Sequence, residues 1–381
     1  MRRWFVVVVV LLSGCATAGG APTGGVRLPQ ATDAPRETGP SALADPRDPR
    51  LPDPLVDPSQ MVRRQPPPPG GPALDRPRFQ RAGEVGWLRD TEPVLAVKVG
   101  YETRGYPIQV MLWHEVVNDT VGGIPVAITY HPACNTGFTY GRRVDRRVLS
   151  FGASGWEYAG CGVLYDRQTE TLWPQPVGRG AIGVLTGTRL TTHRTAIVAW
   201  RDFLASYPDA WVLSRDTGHD RPYGRNPYPG YDDPEGPAPP GTLAADPRLR
   251  PMTRVVGLPG LGVAFVRSVV ASSGVQVFHF GDRSLVAWHR PGQVSPLDAH
   301  RVGAGRDIGT VAVFDAEVDG RTLHFTPYGT GFVDAETATS WTVLGYATHG
   351  PLAGRRLIPQ PAVDTFWFAW AGVRPGSQLA L

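Results

Sequence analysis

The chain has 381 residues, with 38 Lys and Arg against 34 Asp and Glu and a formal net charge of +4 at pH 7. Its basic residues are scattered among acids, so neither a nucleic-acid footprint nor a polybasic membrane patch is present, and nucleic acid is not an expected partner. Beyond a low-complexity amino-terminal stretch roughly 300 residues remain, ample for a substantial core.

Arg2 and Arg3 precede an apolar run, Trp4 to Leu12, too short to span a bilayer and fitting the apolar region of a secretory signal. Leu12-Ser13-Gly14-Cys15 follows, similar to a bacterial lipobox. The expectation is a lipoprotein signal over 1–15, with Cys15 acylated (palmitate among its chains) and the mature protein held at the extracytoplasmic, periplasmic face of a membrane. An ordinary signal peptide is the alternative. The Arg2-Arg3-Trp4-Phe5 opening also resembles a twin-arginine signal, so Sec and twin-arginine export both stay open. With Cys15 used, Cys134 and Cys161 are the mature cysteines, in a compartment where disulfides persist.

Residues 16–76, dominated by Pro, Ala, Gly, Asp and Arg, predict a disordered tether, because such a segment buries too little apolar surface to offset its ordering entropy. A β-rich domain is expected over 77–381. Within it V-D-x-R-x-L-x-F occurs at Val144–Phe151 and Val318–Phe325, and D-x-x-T-x-x-x-W at Asp166–Trp173 and Asp334–Trp341. Gly187–Leu190 pairs with Gly354–Leu357, and Leu190 to Trp200 has the same spacing as Leu357 to Trp367. Four blocks in step predict an internal duplication: repeat one 92–213, a Pro/Gly-rich connection 214–253, and repeat two 254–378.

The fold class expected is mainly β (α+β): two tandem repeats of antiparallel β-hairpins, each closed by a short helix, packed as one globular unit. Strands are predicted at LAVKV, PIQVMLW, PVAITY and VLSFG in the first repeat and at VQVFHF, SLVAWH, TVAVFD and TLHF in the second. Gly122-Gly123 and Asp319-Gly320 are hairpin-turn candidates. Trp200, Phe203, Leu204 and Tyr207 form one apolar face of a helix ended by Pro208, and Thr365 to Ala371 is its counterpart with Asp364 as N-cap.

What one repeat has and the other lacks is free to serve chemistry. The first repeat carries both mature cysteines, Cys134 in PACNTG and Cys161 in GASGWEYAGCG, a glycine-rich loop with six residues more than its counterpart. Upstream, WHEVVNDT enters the Gly122-Gly123 turn whose return strand delivers His131, so His114 or Asp119 is expected to approach His131 and Cys134 across the hairpin. Asn118, Asn135, Arg167 and Gln168 are candidate ligand-binding residues. No Walker loop, H-E-x-x-H, G-x-S-x-G or Rossmann fingerprint occurs, so no nucleotide is expected.

WHEVVNDTVGGIPVAITYHPACNTG, followed by VLSFGASG, YDRQTETLWPQ and SRDTG, resembles the bacterial and archaeal exported family catalogued as domain of unknown function 3179, from about Ala73 to the C-terminus. The resemblance implies no activity. In that family the position of His131 is usually cysteine, giving C-P-x-C-x-T, whereas here the motif is His131-Pro132-Ala133-Cys134-Asn135-Thr136. Both pairs can ligate a soft or borderline metal, but only C-x-x-C can cycle to a disulfide.

Three readings follow. The leading one is a transition ion, copper or zinc, held by His131 and Cys134 with His114 and Cys161. The second is thiol-redox or nucleophilic chemistry at Cys134, with imidazolium from His131 or His114 and with Asn118 or Asp119 orienting the ring; Cys161 is then the resolving thiol. The third is a non-catalytic binding or scaffold module closed by a Cys134–Cys161 disulfide. A protein partner and the question of enzymatic activity are left open by the sequence.

Overall fold

The computed structural model describes residues 24–63, 71–243, 246–281 and 283–380. The expected signal, Cys15, and residues 16–23 and 64–70 of the expected tether lie outside them. The protein is mainly β, with 39% strand, 11% helix and four α-helices among the described residues, and it is built on a curled sheet with several smaller ones. None of these helices is long and apolar enough to cross a membrane.

The large sheet has nine strands. Its centre is the hairpin Pro93–Val99 and Glu102–Pro107, flanked by Thr192–Ala199 and then Thr136–Gly141, Ile124–His131 and Val116–Val121. Pro93–Val99 is almost wholly buried because helices and the second half of the chain cover both of its faces, which is why it reads as a continuous apolar run. Gly122 and Gly123 both have positive φ, the backbone a two-residue hairpin of this hand requires, and Asp319 and Gly320 repeat the arrangement between Glu317–Val318 and Arg321–Thr322.

The second half contains the hairpin Arg254–Leu258 and Val263–Val266, then the three-stranded sheet of Val275–Phe280, Arg283–Arg290 and Thr310–Asp315. The halves share their cores. One cluster joins Leu95, Tyr130, Cys134 and Cys161 to Phe366 and Phe368, and another joins Val94, Ala96 and Trp200 to Trp288 and Phe314. These shared clusters make the two halves one packed unit.

Several expectations are corrected. PIQVMLW is not a strand: Pro107 ends one, and Ile108–His114 is an α-helix whose Ile108, Val110, Met111 and Leu112 are all buried. A short helix apolar on every side carries no 3.6-residue signal, so composition favoured a strand. VLSFG straddles the break between Arg147–Val148 and the longer strand Phe151–Tyr158, and TLHF that between Arg321–Thr322 and Phe325–Tyr328. Asp364 does not cap a helix; it lies in the strand Val363–Phe366 and pairs with Arg267, while the helix Trp367–Val373 starts at Phe366 without a side-chain cap. GASGWEYAGCG is not a loop, since Phe151–Tyr158 and Cys161–Asp166 form a long hairpin turned at Ala159 and Gly160, both with positive φ. The described part of the expected tether is not free of the domain. Ala34, Glu37, Leu43 and Leu55 donate backbone hydrogen bonds to Val148, Gln168, Glu170 and Ala181, and Ala42 and Met61 are buried. Its prolines hold it extended, and the domain supplies the acceptors that its own backbone lacks.

Candidate functional site

Cys134 sits in the tight turn between Ile124–His131 and Thr136–Gly141, with Asn135 in the left-handed region at φ 53°. Tyr130 donates its hydroxyl to the Asn135 side chain at 3.0 Å, which fixes the turn from below. Opposite it stands the tip of the long hairpin, where Tyr158 pairs with Cys161. The residues that lengthen this hairpin relative to 325–334 thus carry Cys161 onto the Cys134 turn.

The thiols of Cys134 and Cys161 are fully buried, unbonded and within hydrogen-bonding reach of each other. His131 Nδ1 is 3.7 Å from Cys134 Sγ, and its Nε2 is 4.0 Å from Glu157 Oε1. The Thr136 hydroxyl lies 3.3 Å from Cys134 Sγ and donates to Gln175 Oε1 at 2.6 Å. Gln175 in turn donates to Thr129 Oγ1 and the Thr136 carbonyl, so the polar shell is held on both sides.

These contacts set the protonation states. Burial alone pushes the Cys134 thiol up, but hydrogen bonds from Cys161 and His131 and the His131 charge together outweigh it and hold the thiol down at about 5. Burial likewise opposes a charged His131. The bond to Cys134 and the carboxylates Glu115 and Glu157 overcome that and raise the ring to about 9. Cys161 goes the other way, pushed well above its ordinary value by burial and then by the neighbouring Cys134 sulfur and Glu157. At neutral pH the arrangement is a thiolate and imidazolium beside a protonated thiol.

The second half closes the site. Thr365 donates to the Cys134 carbonyl at 2.8 Å, and Tyr231, from the segment between the halves, donates to the Ala133 carbonyl at 2.9 Å. A void of about 10 Å³, room for about one water, touches Cys161, Thr136 and Thr365. It shares Phe138, Pro176, Pro259, Val363 and Arg374 with a cleft of about 360 Å³ between the halves.

The expected site residues divide. His131, Cys134 and Cys161 come together; His114 and Asp119 do not join them. His114, at the end of its helix, has Nδ1 2.9 Å from the Pro72 carbonyl and Nε2 2.6 Å from the Tyr223 hydroxyl, with its ring against His219. Burial is the main cause that lowers it to about 4, and it is neutral. Asp119 pairs in register with Val126, whereas His131 lies five residues further along that strand, about 17 Å away at the strand rise. Its carboxylate is instead buried against Arg104, at 2.8 Å, and the Tyr106 hydroxyl. Antiparallel pairing sets Glu115, not Asp119, beside Tyr130 and His131.

Asn118 ties the sheet to the long hairpin through Phe151 N and O, and Arg167 pairs with Asp75 at 2.8 Å. Gln168 binds Ser150 and the Ala34 carbonyl. None of these three reaches the thiols. Among the described residues no group of three or more His, Cys, Asp or Glu side chains is arranged to hold a metal ion.

Sequence reasoning missed Glu115, Glu157, Thr136, Gln175 and Gly162. Glu157 had a signal, since it lies in the stretch that the second half lacks. No curated protein and no solved structure matches the chain. Residues 69–377 match a family described as protein of unknown function (DUF3179), and the chain belongs to that family.

Proposed function

We propose that this is an exported, membrane-anchored protein whose working centre is a redox-active dithiol, Cys134 and Cys161, governed by His131. The observation that carries this reading is the placing of His131 between Cys134 Sγ and Glu157, with Cys161 against the same sulfur. The Cys134 thiolate attacks one sulfur of a small disulfide, and the expelled thiolate takes the His131 proton. Neutral His131 then accepts the proton of Cys161, whose sulfur attacks Cys134 and releases the second thiol, protonated by His131. Two electrons and two protons pass from the dithiol to the substrate, and one disulfide replaces another.

The copper or zinc reading keeps His131, Cys134 and Cys161 but loses His114, whose ring nitrogens face Pro72 and Tyr223. The scaffold reading's Cys134–Cys161 bond becomes the oxidised state of the same pair. Equilibrating the full chain in glutathione buffers of graded poise, with trapping of free thiols and mass analysis, tests the proposal. A reversible Cys134–Cys161 disulfide is expected, with Cys161→Ser halting at glutathione on Cys134. Thiols that stay reduced in the most oxidising buffer, or copper or zinc bound mole for mole after gentle loading, would sink it.

We also infer that the chain is an internal duplication. What supports this is order and pairing: each half runs hairpin, seven-residue helix, three antiparallel strands and two further hairpins, then, after one short added strand in the first half and two in the second, a strand back beside the first hairpin and a second helix. Each then ends on a strand that returns parallel to its first hairpin, Trp211–Leu213 on Glu102–Pro107 and Gln378–Ala380 on Val263–Val266.

A further inference from the structure

The cleft of about 360 Å³ between the halves is within the size range of small-molecule sites. Its walls are mostly apolar, with Phe138, Ile197, Val311 and Phe314 among them. Into this lining comes Arg194, from the strand Thr192–Ala199. Arg194 is directly opposite Lys98 in the antiparallel ladder, a like-charge pair of the kind that destabilises a sheet. Arg356 adds a third cation. Its guanidinium lies 4.4 Å from the centre of the Tyr346 ring, and its charge depresses both Lys98 and Arg194 after burial has done so.

Among the described residues none of these three cations has a carboxylate within ion-pairing distance, and two buried nitrogens of Arg356 have no hydrogen-bond partner. The hydroxyls of Tyr207 and Tyr346, 3.0 Å apart, add donors at the same place. Asp364, the carboxylate on the cleft wall, is held by Arg267. Three partly buried cations without a counter-ion are costly unless something supplies the missing charge.

We propose that the cleft is a binding site for an amphiphile with an apolar chain and an anionic head, a carboxylate or phosphate, its chain against the Phe138 and Phe314 walls and its head at Arg194, the one of the three cations that lines the cleft, with Lys98 and Arg356 adding their charge from behind it. This site adjoins the void at Cys161 but does not depend on the chemistry of the dithiol.

Calorimetric titration of the full chain with decanoate, decyl phosphate, 1-decanol and inorganic phosphate tests it. The two acids should bind at least about tenfold more tightly than the alcohol, because a charged head bonded to guanidinium outweighs a neutral one. Inorganic phosphate should bind far more weakly than decyl phosphate. Arg194→Gln should erase the preference for acid over alcohol and, by relieving the like-charge pair, raise Tm without ligand; Ala312→Trp, filling the cleft, should abolish binding of all. Equal binding of acid and alcohol, no binding of either, or a preference unchanged in Arg194→Gln would overturn the proposal. So would binding to anionic phospholipid vesicles without binding to decanoate, which would mark a membrane-surface contact.

Discussion

The His131 ring occupies the space that a side chain at residue 162 would need: a Cβ on Gly162 would lie 2.3 Å from His131 Cδ2 and 2.7 Å from Nε2. Gly162 is therefore what lets the imidazole lie flat on the long hairpin, between Cys134 and Glu157. Gly162→Ala should push the ring off this seat, cost about 1–3 kcal/mol by overpacking, and release the Cys134 thiol toward its ordinary range near 8.5. Ultraviolet thiolate absorbance against pH reads this without requiring access to the buried sulfur. An unchanged thiolate titration in the folded variant would show that the ring's seat does not set the Cys134 charge.

The thiolate and imidazolium pair also fixes how stability depends on pH. Cys134, depressed in the folded state to about 5, contributes stability that is complete above its unfolded value and is lost as pH falls through about 5. His131, raised to about 9, contributes stability complete below its unfolded value and lost as pH rises through about 9. With unfolded values near 8.5 and 6.5, the two slopes nearly cancel between about pH 6.5 and about pH 8.5, which leaves a net rise of about 2 kcal/mol between about pH 5 and about pH 6.5. Denaturant unfolding of wild type and His131→Asn across this range should show the rise in their difference curve. Taking the difference removes His114, whose lowered value gives its own loss of stability as pH falls toward about 4 in both proteins. A flat difference curve would mean that the ion pair does not form.

How much was legible follows from what each signal measures. The strands Val275–Phe280 and Thr310–Asp315 were readable because β-branched and aromatic runs bounded by turns define them locally. The helix Ile108–His114 was not, because its burial on all sides erases the periodicity that would identify it. In the site, the unmatched Cys134 and Cys161 were readable by comparing one half with the other. Their neighbours were misassigned for a reason of register: a hairpin's turn is visible, but which residue faces His131 depends on the length of the strand, and that length sets Glu115 rather than Asp119 at its level. Glu157 and Gln175 arrive from strands distant in sequence, and pairings of that range leave no local trace.

Asp119 supplies a test of that correction. Its carboxylate accepts from both Arg104 and Tyr106 in full burial, so Asp119→Asn removes one of the two carboxylates on the guanidinium, Glu102 being the other at 2.6 Å, a loss of about 2–3 kcal/mol. The Cys134 thiolate titration should stay where it is, since the two groups lie at opposite ends of the hairpin. Chemical denaturation together with thiolate absorbance separates the outcomes, and a raised Cys134 value in a folded Asp119→Asn protein would restore Asp119 to the site.

Asp166 and Asp334 test the duplication energetically. Asp166 accepts from the Thr169 backbone at 2.7 Å, the Thr169 hydroxyl at 2.9 Å and Trp173 Nε1 at 3.0 Å. Asp334 accepts the same set from Thr337 and Trp341 at 2.6, 2.7 and 2.9 Å. Both carboxylates are buried, so removing either strands a buried indole N–H, while the threonine hydroxyl keeps its neighbour, Thr171 or Thr339. Asp166→Ala and Asp334→Ala should each cost about 3 kcal/mol, and the double variant about the sum, because neither aspartate shares a partner with the other. Equal costs with the Cys134 thiolate unmoved would mean that the motif common to both halves serves the scaffold. A cost confined to Asp166, or a thiolate shifted by Asp166→Ala, would instead make that aspartate part of what distinguishes the first half, and the argument from shared residues to shared structure would fail at its strongest pair.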